Sequence, residues 1–167
     1  MNCGCFFYRI NTKPRMDQEL TYPEGIYHYI YRVCFFHWMH ILSAFYYEMY
    51  LSGWMGITLF VTSLNYWKKP YRKSHSRTID MICVHLIVPY QYYLSLFTTN
   101  KLICTGLMTI GILMYPLSNY YHKQNQPALI KISAFCHCGL HLFLSIGLCF
   151  MYKNYYDENI TSVYLIR

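Results

Sequence analysis

The sequence predicts an all-α integral membrane protein with five transmembrane helices in an antiparallel bundle. Three observations predict it. Of 167 residues, 55% are apolar and only 13% are charged, about half the charged share of an ordinary soluble domain. The apolar residues gather in five runs, each near the length of about 20 residues that a helix needs to cross a bilayer. The Lys and Arg residues concentrate between those runs, on alternate links, as membrane topology requires. The mean hydropathy of +0.15 is mild only because 20 Tyr lower it, and Tyr is at home at membrane interfaces. Composition therefore argues against a disordered chain, an ordinary cytosolic enzyme and a basic nucleic-acid binder, although the net charge is +7.

Residues 1–25 read as a cytosolic N-terminal segment of polar or mixed character. Its apolar stretch at 5–8 is too short for a signal-peptide core, and Asn2 breaks the N-myristoylation pattern. Residues 26–152 form the membrane domain, with helices at about 27–47, 51–67, 79–97, 102–121 and 128–152. Arg32 lies near the start of the first, where it can snorkel to the headgroups. The runs lack strand-like alternation, and backbone groups in lipid must be satisfied internally, so they read as helices. The links 48–50, 68–78, 98–101 and 122–127 are short, which makes sequential antiparallel neighbours the default. Pro70 interrupts any helix through the second link. Residues 153–167 form a non-cytosolic tail.

Charge tests the count. With five spans, one side holds Arg9, Lys13, Arg15, Arg32, Lys68, Lys69, Arg72, Lys73, Arg77, Lys123 and Lys131, which is 11 of 14. The other holds Lys101, Lys153 and Arg167. Removing the first span moves four positives across and leaves seven against seven. The positive-inside rule thus places the N-terminus in the cytosol and the C-terminus outside or in a lumen. The sequon at Asn159, completed by Thr161, falls on that outer tail. Six of the eight Cys, at 34, 83, 104, 136, 138 and 149, fall inside apolar runs and read as reduced packing residues.

Ionisable residues inside spans are costly, and by default they are functional candidates. His37 and His40 lie in the first helix, His85 in the third, His137 and His141 in the fifth. All three helices enter from the cytosol, and at 1.5 Å per residue these His lie at overlapping depths of roughly 10–20 Å. The pairs at i, i+4 and i, i+3 each share a helix face. His faces on different helices at one depth are what a buried metal needs, so His137, His141, His85, His40 and His37 are the candidate metal ligands. Zn2+ is the first candidate. Haem is the alternative, with one axial His from the first helix and one from the fifth. Interhelical hydrogen bonding and packing are the competing reading of the same residues. Asp80 opens the third helix, where a carboxylate also suits the helix dipole. Ser63, one turn from the cytosolic end of the second helix, faces the same membrane level as Asp80. The basic link attracts phospholipid headgroups but is too small a surface for nucleic acid.

In order and topology, Ser63-x-x-Tyr66-Trp67, Asp80 and His137-x-x-x-His141 resemble the CREST superfamily, which includes alkaline ceramidases and the progestin and adipoQ receptors. That family carries Ser-x-x-aromatic-His, then an Asp opening the next helix, then His-x-x-x-His on the last. The resemblance implies three His on zinc, with Asp80 and Ser63 as catalytic residues around an activated water and a lipid amide as substrate. His137 and His141 would be two ligands, and His85, His40 or His37 the third. Two departures stand out. Trp67 replaces the His of the first motif, and five helices stand where the family usually has seven. The expectation is a multi-pass membrane protein with a buried His-rich layer and membrane lipids as partners. It is either a metal-dependent lipid-amide hydrolase of CREST type, a non-catalytic structural or assembly protein, or a haem-binding protein.

Overall fold

The computed structural model describes the backbone of residues 19–165 and the side chains of residues 19–158. The described residues are all helical apart from turns and one isolated antiparallel bridge between Leu20 and Tyr71. Helix α1 spans Glu24–Val33, with Glu24 in its first turn, where a negative charge suits the helix dipole. It buries Tyr27 and Ile30. A 3-10 turn at Cys34–Phe36 joins it to α2, His37–Tyr46. The chain reverses through Glu48, which takes a left-handed φ of 59°, and enters α3, Tyr50–Trp67. Helix α4 spans His75–Ser95 and is capped by the Ser74 hydroxyl, which accepts from the Arg77 amide at 3.2 Å. Helix α5 spans Lys101–Lys123, and α6 spans Pro127–Leu165. Pro127 sits at the first helical position, where its missing N–H costs nothing.

These helices occupy the five expected runs, with three differences. Helix α4 begins at His75, about one turn before the expected start, so Asp80 lies in its second turn and does not open it. The first run is broken by the 3-10 turn. The last does not stop at 152, because no Gly or Pro follows to end it and Lys153 pairs with Asp157 one turn on, at 3.0 Å. The expected outer tail is thus helical as far as Leu165, while the side chain of Asn159 and residues 1–18 lie outside the described residues. Two helices are long and apolar enough to cross a membrane by length and composition: Lys101–Lys123 and Pro127–Glu158 of α6. Elsewhere α1 and α2 are separated by the turn, and α4 mixes Tyr, Gln, His and Pro into its apolar run.

Helices α5 and α6 pack against each other along most of their contact length. Gly111 and Gly147 permit this. A Cβ on Gly111 would meet the Leu144 amide nitrogen at 3.1 Å, and one on Gly147 the Met108 amide nitrogen at 3.2 Å. Two apolar clusters hold the ends. Tyr22, Tyr27, Ile30, Cys34, Tyr66, Trp67 and Ala134 pack near the basic link. Ala44, Cys104, Met108, Leu148, Met151 and Tyr152 pack at the far end. The six described Cys at 34, 83, 104, 136, 138 and 149 are free thiols, as their place in apolar runs predicts.

Candidate functional site

Helix α4 packs closely on α3 but only sparsely on α5 and α6. The space left is a cavity of about 610 Å³. Its wall follows α4 from Asp80 to Leu96, about 24 Å at 1.5 Å per residue. Most of the wall is apolar, including Val84, Val88, Leu140 and Leu144. Ser63 and Asp80 line the cavity at the end near the basic link.

There, Ser63 Oγ donates to Asp80 Oδ1 at 2.7 Å, and Thr62 Oγ1 donates to the same oxygen at 3.2 Å. Both Ser63 and Asp80 are buried and line the cavity. Asp80 therefore serves side-chain hydroxyls of α3, while Ser74 caps its own helix. The shared depth of Ser63 and Asp80 was legible from counting residues. The part played by Thr62 was not, since nothing in its spacing distinguishes it from a residue facing lipid.

Four of the five His candidates meet. His37 Nε2 and His141 Nδ1 lie 3.1 Å apart, so one ring donates to the other. His137 packs edge-on against His141, with ring centroids 5.2 Å apart, and at a tilt against Trp67 at 4.8 Å. His37, His137, His141 and Trp67 share the cavity wall with Ser63 and Asp80. His85 also lines the cavity but is exposed, and its Nδ1 donates to the Met81 carbonyl at 2.6 Å. His40 touches the His37 ring but does not line the cavity. Its Nδ1 lies 3.3 Å from Ser145 Oγ, and its Nε2 faces α3, 3.0 Å from where a Cβ on Gly56 would stand. His37 Nδ1, His40 Nε2 and His141 Nε2 are buried without a hydrogen-bond partner.

Two prolines interrupt the backbone bonding of the helices beside this wall. Pro89 and Pro116 lie inside α4 and α5. A helical proline cannot donate to the carbonyl four residues before it, which frees the carbonyls of His85 and Ile112. Both residues line the cavity.

No protein-family model matches this chain, and no curated protein or solved structure matches it either.

A catalytic zinc takes three protein ligands in tetrahedral array with one open position. Among the described residues, no three His, Cys, Asp or Glu side chains gather so as to hold a metal. His37 and His141 offer two adjacent nitrogens, but they are bonded to each other. His137 lies against the indole of Trp67, and His40 is engaged with Ser145. In this arrangement the donor set does not fit zinc. Haem fares no better at the same pair. Axial ligands approach iron from opposite faces of the porphyrin, and His37 and His141 are in direct contact.

Proposed function

We propose that the chain is a multi-pass membrane protein whose His-rich cavity binds a lipid bearing an amide or hydroxyl at its polar end. Five spans, an N-terminus in the cytosol and a C-terminus outside or in a lumen belong to the same reading. One observation carries it: the Ser63–Asp80 pair and His37, His137 and His141 share the wall of a cavity that is mostly apolar. A lipid matches that division, with hydrogen-bonding groups for its head and apolar wall for its chain. The outer surface supports the membrane setting. Leu102, Phe135 and Leu86 are 84%, 79% and 69% exposed. The two spanning-length helices bury only 22% and 39% of their most apolar windows. Core helices of a soluble protein would bury far more.

The experiment is retention of a fluorescent long-chain N-acyl amide by the purified protein in detergent. About one lipid per chain is expected, and at least tenfold weaker retention by Val84→Trp, which fills the cavity. No retention by the unsubstituted protein, with helix content intact, would overturn the reading in favour of a structural role.

A second reading, amide hydrolysis of the CREST type, is favoured by Ser63, Asp80, His137 and His141 sharing one wall. It requires a zinc that the present side-chain arrangement does not accommodate. Metal content decides it. Near-stoichiometric zinc, lost in a His137→Ala/His141→Ala double variant, together with fatty-acid release from the amide, would establish it. Absence of metal from both proteins would dismiss it.

A further inference from the structure

The residues just before α1 do something that the cavity reading alone does not require. Residues 19–22 run back along the basic link and are fixed to it by backbone bonds. The Thr21 amide donates to the Pro70 carbonyl at 2.7 Å, and the Arg72 amide donates to the Glu19 carbonyl at 2.9 Å. The side chains of Glu19 and Arg72 pair at 3.2 Å, and Thr21 Oγ1 lies 3.0 Å from Tyr66 Oη. At the end of this segment Tyr22 turns inward and is 5% exposed. Its hydroxyl lies 2.6 Å from Ser133 Oγ on α6 and 3.3 Å from Ser118 Oγ on α5. Its ring lies 5.9 Å from that of Trp67 and 4.7 Å from that of His122.

Trp67 is thus in contact with both regions. It lines the cavity and packs against His137, and it also belongs to the cluster around Tyr22, which does not line the cavity. We propose that residues 19–22 are a strap, and that Tyr22 holds Trp67 in place as the stopper separating the cavity from the cytosol. Tyr22 is a positioning residue, since it acts through Trp67. With this end stopped, a ligand enters from the side where α4 stands off from α5. There Leu113, Tyr93 and Leu96 line the cavity and are also exposed. The proposal rests on the cavity being a lipid site, but the seal itself is measurable without a ligand.

The chain has three Trp, and Trp38 and Trp54 lie on the outer apolar surface at 42% and 62% exposure. A Trp38→Phe/Trp54→Phe protein in lipid nanodiscs therefore reports on Trp67 alone. Iodide stays in water, so Trp67 emission should resist it. Tyr22→Ala should raise the iodide quenching constant several-fold, with helix content unchanged. Tyr22→Phe keeps the ring and should stay within twofold of the parent. If Tyr22→Ala is poorly folded, Thr21→Pro keeps Tyr22 but removes the amide that bonds Pro70 and the hydroxyl beside Tyr66 Oη, and should raise quenching in the same direction. Unchanged quenching in folded Tyr22→Ala or Thr21→Pro, or an equal rise in Tyr22→Phe, would overturn the proposal.

A long-chain amide brominated along its acyl chain, added to the same nanodiscs, tests the cavity reading separately. It should quench Trp67 in the parent, and less so when Val84→Phe narrows the cavity. Iodide results as expected without bromide quenching would keep the strap and remove the lipid.

Discussion

At the scale of single residues, the firmest feature is the acceptor that Asp80 gives to Ser63 and Thr62. Asp80→Asn keeps an oxygen at that position and should unfold within a degree or two of the parent in detergent. Asp80→Leu leaves the Ser63 hydroxyl buried without an acceptor, which costs about 1–3 kcal/mol. Thermal unfolding in one detergent compares them, and equal midpoints for Asn and Leu would show that the bond contributes nothing to stability. The pair was legible because both residues lie near the same end of neighbouring antiparallel helices. The His residues were legible only in part. His37 and His40 share a face by spacing and their rings touch, yet only His37 lines the cavity and bonds His141, while His40 bonds Ser145. Residues three apart on a helix diverge by about 60°, enough to send two rings to different neighbours. Spacing could not say which ring would enter the cavity.

At the scale of elements, the contact of α5 with α6 depends on Gly111 and Gly147. A Cβ at Gly147 would press on the Met108 amide and lie 3.3 Å from the Cys104 carbonyl. Backbone cannot move aside as a flexible side chain does, so Gly147→Ala should destabilise the pair by about 1–3 kcal/mol, as overpacking does. Gly106 has nothing within 4 Å of its added Cβ. Gly106→Ala should be neutral or stabilise by up to about 1 kcal/mol through helix propensity. Unfolding midpoints of the two variants check this, and a loss at position 106 matching that at 147 would deny the close approach. The extents of α3 and α5 followed their apolar runs closely. Helix α6 outran its apolar run because hydropathy marks where lipid can lie, not where hydrogen bonding stops.

For the whole molecule, the five-span reading makes a parity prediction. A tag before Met1 should be cut by protease added to the cytosolic face of microsomes. A glycosylation tag placed well beyond Arg167 should be modified. Both ends on one side would require an even number of spans and would remove the charge argument built on Arg32 and the first run. The sequence by itself determined the helical class, the places of the main apolar runs and the level at which Ser63, Asp80 and several His lie. Those properties follow from composition, periodicity and rise per residue, which are local. The tertiary structure alone decided that α4 stands away from α5 and α6 to leave a cavity, that Trp67 occupies the wall beside His137, and that Tyr22 reaches Ser118 and Ser133 from far along the chain. These depend on how helices rotate and separate as they pack, and each contact joins residues whose spacing in sequence carries no trace of it.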